Sequence, residues 1–182
     1  MTFVITTAEI DLSVGSLLAL CAMITGLLLE SGVPIPVAVA AGLAVGALSG
    51  LVAGSIVVTW GLPSFIVTLG LLYINRGIAL LVTDTKPLYG FAKGSLLGIP
   101  LPALEALTVV ILGQLTLSKT AFGRRVIAVG GNPSAARLSG VSVKRIKLSV
   151  FLLSGLCTGA ASAITIARQN SATPIVGEGL EL

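Results

Sequence analysis

Seven acidic residues, eleven basic residues, two cysteines and no histidine are the whole reactive inventory of this 182-residue chain. The absence of histidine removes imidazole acid–base catalysis, Ser-His-Asp triads and histidine-ligated metals together. Cys21 and Cys157 stand far apart, each in an apolar run, with no C-x-x-C spacing. They read as small packed hydrophobes rather than a redox pair. No nucleophile is spaced with a base, and no G-x-x-x-x-G-K-[S/T] motif is present to cradle nucleotide phosphates. Catalytic, metal and cofactor sites are therefore expected to be absent, and nucleic acid is not an expected partner. The polar groups left to explain are Glu9, Asp11 and Ser13 near the start, Arg76 inside an apolar run, and a basic block at 119–147.

The elements that must position these groups follow from hydropathy. Of the chain, 55% is apolar and 10% charged, against about 25% charged in an average soluble domain. Mean hydropathy is +1.08. A small soluble fold cannot hide that much apolar surface. Residues 12–29, 31–75, 106–118 and 148–167 carry no charge, and a membrane-crossing helix needs about 20 such residues. The long run holds breakers at Pro34, Pro36, Gly61 and Pro63. It divides into two spans, with Pro63 suited to the first turn of the second. The expectation is an all-α polytopic transmembrane bundle, one domain over 1–182. Its five spans lie near 12–29, 37–58, 63–82, 101–118 and 148–167. Residues 1–8 resemble the tail of a sixth span, and both chain ends read as truncated.

Orientation comes from Lys and Arg. Residues 119–147 hold Lys119, Arg124, Arg125, Arg137, Lys144, Arg145 and Lys147, and no acid. The positive-inside rule assigns this loop to the cytoplasm. Counting spans outward then puts 83–100, 30–36 and 168–182 outside, and 59–62 and 9–11 inside.

Within the basic loop, Asn132 is a good N-cap, Pro133 suits N1 and Gly140 suits C′. Residues 133–139 thus read as a capped helix about 10 Å long, marginal unless docked on something. The stretch Asn132, Pro133, Ser134, Ala135, Ala136, Arg137, Leu138, Ser139 and Gly140 is either a docking point for a soluble partner or a plain connection. Ala135 and Ala136 permit close approach there, and Leu138 offers an apolar knob. Gly42, Gly46, Gly50 and Gly54 form a nearly bare helix face, extended by Ala38, and Gly155, Gly159 and Ala163 repeat the device. Such faces let helices approach closely in lipid. They could serve another span or a second subunit, as fixed packing or as a moving surface. Asp11 either caps the helix that begins at Leu12 or Ser13 or forms a polar hinge. Arg76, ~20 Å along its span from Pro63, either snorkels to the outer surface or faces a water-filled path. Asp11, Ser13, Pro63 and Arg76 are the transport-path or hinge candidates.

Four segments in order resemble one family. Residues 9–16, Glu-Ile-Asp-Leu-Ser-Val-Gly-Ser, are similar to an I-D-L-S-V-G-S segment, differing at Glu9, where many members have Gly. Residues 63–70, Pro-Ser-Phe-Ile-Val-Thr-Leu-Gly, followed by Arg76-Gly77, resemble P-x-F-I-x-T-L-G…R-G. Residues 130–141 look like a cytoplasmic coupling loop, and 177–182 like the start of a G-x-G-x-E-L stretch. The family is the permease subunits of ABC-type sugar importers, of the ribose/xylose/galactose class. The resemblance implies a type II importer bundle, present in part, in a bacterial inner membrane. It implies a second permease copy, cytoplasmic ATPase subunits that dock on 132–141, and an external sugar-binding protein, periplasmic or lipid-anchored. Two other readings compete: an ion-gradient-driven transporter, disfavoured because the acids fall at span ends, and a non-transporting membrane scaffold.

Overall fold

The computed structural model describes residues 1–82, 88–89, 95–96, 99–169 and 171–179, those between 88 and 106 as backbone only. Lys86 and Lys93 of the expected outer loop, and residues 180–182 of the terminal motif, lie outside the described residues.

Eight helices are described: α1 (Thr2–Thr6), α2 (Val14–Glu30), α3 (Ile35–Trp60), α4 (Ser64–Val82), α5 (Leu101–Lys119), α6 (Ala121–Gly131), α7 (Pro133–Leu138) and α8 (Val143–Gln169). Two-residue strands add β1 (Leu88–Tyr89) against β4 (Ser171–Ala172), and β2 (Ser95–Leu96) against β3 (Ile99–Pro100), both antiparallel. Helices α3, α4 and α8 are long and apolar enough to cross a membrane; α2 and residues 107–119 of α5 are apolar but shorter. Three boundaries differ from the sequence reading. Helix α3 starts at Ile35 because Pro36 is accepted at its second position, where no N–H is needed. Helix α4 starts at Ser64, so Pro63 stands just before it, its carbonyl accepting from Ile66 N at 3.1 Å. Helix α8 starts five residues early, which turns Lys144, Arg145 and Lys147 from loop residues into first-turn and second-turn residues.

Helix α3 ends at Gly61, whose φ of +67° is the left-handed conformation that a C-terminal turn needs. The chain then returns as α4. The expected loop 119–147 is itself largely helical. Thr120 caps α6, its hydroxyl accepting from Gly123 N at 3.1 Å, and α6 turns Gly123, Val126 and Val129 inward.

The most extensive helix–helix contact joins α3 and α8, with α2 packed against both and against α4. The glycine row makes it possible. A β-carbon at Gly46 would overlap the Gly155 carbonyl oxygen, and one at Gly155 would overlap that of Gly46. A β-carbon at Gly50 would strike the Phe151 carbonyl, and one at Gly159 would lie 2.9 Å from Leu43 Cα. Gly42 faces α2 instead, against the Thr25 hydroxyl. The small-residue face is thus used inside the chain, on α8 and α2. Two apolar clusters complete the packing. One gathers Val57, Leu71, Val126, Ile146, Val150 and Phe151; the other gathers Leu20, Met23, Ala79, Ile166 and Ala172.

In lipid, such contacts are van der Waals contacts rather than hydrophobic ones, so geometry sets their worth. Gly46→Ala or Gly155→Ala should cost about 1–3 kcal/mol by overpacking. Gly70→Ala, where an added β-carbon meets nothing, should be neutral or slightly stabilising. Denaturation of the purified protein in mixed micelles would read this, and equal losses at all three positions would refute the packing assignment.

Candidate functional site: a helix break and a docking helix

Two polar constructions stand out, and the first is a broken helix. Helix α1 stops at Thr6, Ala8 takes a φ of +59°, and the chain runs irregularly to Ser13 before α2 begins. Backbone groups freed at such a break need partners, and here side chains supply two of them. Ile10 N donates to Ser64 Oγ at 2.9 Å and Leu12 N donates to Thr68 Oγ1 at 3.1 Å. Glu9 N donates to the Val4 carbonyl at 3.1 Å.

Asp11 is buried, 4% exposed. Its Oδ1 accepts from Ser13 N at 3.0 Å and Ser13 Oγ at 2.7 Å, and its Oδ2 accepts from Ser154 Oγ at 3.1 Å. It therefore holds the turn before α2 and ties it to α8. The Ser13 N bond is of the capping kind expected, one residue ahead of α2 proper, and the Ser154 bond is additional to it. Its partner Ser154 lies within the apolar run of α8. Glu9 forms an ion pair with Lys147 on α8. Of the four transport-path or hinge candidates, Asp11 and Ser13 meet here. Pro63 is exposed beside the start of α4 and contributes only its helix-starting carbonyl.

Arg76 is elsewhere, held by backbone carbonyls. Its Nη1 donates to the Pro174 carbonyl at 2.6 Å and the Val176 carbonyl at 3.1 Å. The segment after α8 folds back along α2, with Gly177 at φ +79° against the Gly15 backbone. Arg76 pins that segment to α4. Sequence reasoning gives Ser64, Thr68, Ser154 and Lys147 no part in this break. A signal is present for three of them, as polar residues four apart: Ser64 and Thr68 on α4, and Ser154, Thr158 and Ser162 on α8.

The second construction is α7. Asn132 Oδ1 accepts from Ser134 N and Ala135 N, both at 3.0 Å. At the other end Val141 N donates to the Ala136 carbonyl at 3.0 Å and Gly140 N to the Arg137 carbonyl at 3.1 Å, with Gly140 at φ +79°. This paired closure satisfies the orphan carbonyls of a short helix. Ala136 alone in α7 is buried, in the cluster with Val126, Val129, Val143 and Ile146. The close approach that its small side chain permits is made to the bundle, and it seats α7 there. Leu138 is 92% exposed, and Ser134, Ala135 and Arg137 are exposed with it. The preceding Gly130 lies against the Thr6 carbonyl, where a β-carbon would overlap it, so α6 rests directly on α1.

Over residues 1–182 the chain matches the family described as "Branched-chain amino acid transport system / permease component". The chain belongs to this permease family. It is 40% identical to the D-allose transport system permease protein AlsC of Escherichia coli (strain K12), over 98% of this chain and 57% of the relative. It is 39% identical to the ribose import permease protein RbsC of Bacillus subtilis (strain 168), over 100% of this chain and 59% of the relative. It is 35% identical to the L-arabinose ABC transporter permease protein AraH of Azospirillum brasilense, over 100% of this chain and 56% of the relative. The chain spans just under three fifths of the length of these relatives. No solved structure matches it. The chain is thus an all-α, multi-pass membrane protein of this permease family.

Two outcomes follow from the break. Asp11→Asn keeps an oxygen for Ser13 and presents an amide to Ser154, whereas Asp11→Leu leaves their buried groups unpaired; the leucine variant should lose about 1–3 kcal/mol and the asparagine variant much less, read by thermal stability in detergent. Lys147→Met should destabilise more than Glu9→Gln. The carboxylate it orphans is 9% exposed, while the ammonium orphaned by Glu9→Gln is 24% exposed and reaches water. The same thermal melts read this pair, and a reversed order would refute the burial argument.

Proposed function

We propose that this chain is the transmembrane permease part of an ATP-binding-cassette importer that moves a monosaccharide of the ribose, allose or arabinose kind into the cell. The observation that carries the reading is α7: a fully capped two-turn helix, seated by Ala136, that presents Leu138 and Arg137 outward between two spans. A helix of six residues does not persist in water unaided, so its caps and its buried alanine maintain a rigid contact surface. A separate ATPase subunit docks there, on Asn132 to Gly140. In this reading residues 119–147 face the cytoplasm of a bacterial inner membrane, because they hold seven cations and no acid of their own. The working unit is a dimer of permease copies, homodimeric or heterodimeric, served by two ATPase subunits and an external sugar-binding protein, periplasmic or lipid-anchored. The sugar relatives support the substrate class.

Docking movement reaches the transport path by two contacts. Helix α6 bears on α1 at Gly130 and Thr6, and α8 carries Lys147 and Ser154 to Glu9 and Asp11. Nucleotide-driven closure of the ATPases would shift an inward–outward equilibrium through these elements.

A second reading, an ion-gradient-driven transporter, draws on the burial of Asp11 against the interior of α8, since a carboxylate at membrane depth is a candidate coupling site. Both Asp11 oxygens already have hydroxyl or amide donors, which favours a structural role. Vesicles with an ion gradient and no ATP would separate the two, because uptake there supports ion coupling alone.

Leu138→Glu tests the docking role without touching the core. Sugar uptake and co-purification of the ATPase should both fall at least about tenfold, a loss of about 1.4 kcal/mol or more of docking energy, while membrane insertion is unchanged. Undiminished uptake would overturn it. Ala136→Glu is the less informative variant, because that residue is buried.

A further inference from the structure

The outer face of α8 and the end of α5 enclose a groove that neither the helix break nor α7 uses. It has a volume of about 390 Å³, is open along one side, and is lined by Thr116 and Thr120 of the α5 end, Phe122 of α6, and Ser149, Leu152, Leu153 and Leu156 of α8. The α8 residues are spaced three and four apart, so they form one face of that helix. Apart from the hydroxyls the lining is apolar. Two of its three hydroxyls turn back on backbone carbonyls, Ser149 Oγ to that of Arg145 at 2.8 Å and Thr120 Oγ1 to that of Thr116 at 2.6 Å, which leaves the slot mainly apolar along its length.

Its mouth is different. Lys119 is one turn beyond Thr116, Arg125 one turn beyond Phe122, and Arg145 one turn before Ser149, so each shares a helix face with a lining residue. All three are exposed. Among the described residues none has an ion-pair partner, and no acid occurs anywhere in 119–147. Each of three helices thus carries an uncompensated, exposed cation within one turn of a residue that lines the apolar slot.

We propose that this groove binds an anionic phospholipid, one acyl chain lying along Leu152, Leu153 and Leu156 and the headgroup phosphate held by Lys119, Arg125 and Arg145. Basic pockets between spans at the cytoplasmic surface suit such headgroups. The combination excludes a soluble anion as the intended occupant, since a free phosphate has no use for the leucine face. An acidic protein surface would satisfy the cations but would leave the slot above them unfilled. The proposal requires that the helices lie in a bilayer; it does not depend on α7 receiving an ATPase.

The test uses the assembled permease in lipid nanodiscs of phosphatidylcholine doped with phosphatidylglycerol carrying a photoreactive acyl chain. Labelling should fall on α5 and α8 and should exceed that from phosphatidylcholine with the same chain. Neutralising Lys119, Arg125 or Arg145 to Gln should weaken phosphatidylglycerol retention in native mass spectrometry about fivefold each. Leu153→Trp, which fills the slot and keeps every cation, should abolish acyl labelling of α8. Because loss of cations can disturb insertion, Leu153→Trp decides the matter if a Gln variant misinserts. Equal labelling by both lipids overturns the proposal. So does a crosslink showing the groove filled by another segment of the permease or a partner chain, or retention unchanged by Leu153→Trp. Leu138→Glu, run alongside, should leave lipid retention intact, so a failure of the docking proposal is distinguishable from a failure of this one.

Discussion

The backbone-to-backbone approach of α3 and α8 governs this molecule. At Gly46 and Gly155 each helix presents a peptide carbonyl to the place where the other would carry a β-carbon. In water, a helix pair is held by burying apolar surface; in lipid, that drive vanishes and only close packing and internal hydrogen bonds remain. With both faces reduced to glycine, the axes draw near enough for long rows of atoms to reach dispersion contact. Every other arrangement leans on this pair: α2 packs in the angle beside it, with Gly42 making room for Thr25, and α4 completes the layer against α2.

From that frame the break at 7–13 acquires its meaning. A chain leaving helical geometry among packed helices needs partners for its freed N–H groups. Ser64 and Thr68 of α4, Asp11 itself and the Val4 carbonyl provide them, while Ser154 and Lys147 of α8 fasten the two acids. The break is therefore a junction of α1, α2, α4 and α8 held by side-chain hydrogen bonds and an ion pair. It also accounts for the short α2: the irregular stretch, not a longer helix, carries the chain alongside the first turns of α4.

The part of the architecture legible in the sequence is the part written in composition and local chemistry. Charge-free runs locate the five long helices, because water rejects them whatever they pack on. Asn132, Pro133 and Gly140 announce α7, because capping is decided by the residues at the helix ends themselves. Helix α6 is hidden by its arginines, which read as loop charge although Val126 and Val129 share its inner face. Lys144, Arg145 and Lys147 mislead in the same way, since a basic loop and a basic helix start have the same composition.

What this sequence determines alone is a membrane-embedded bundle with a cationic connector and a capped helix within it, because hydration cost, charge and end-capping act over a few residues. Which face meets which is settled only in three dimensions. The glycine row turns inward to α8 and α2, Arg76 closes on the Pro174 and Val176 carbonyls, Ala136 goes into the core and Leu138 out of it, and Glu9 finds a lysine 138 residues away. The long-range pairings among these join residues remote along the chain, and no local preference encodes a partner that only the folding of the intervening helices brings near.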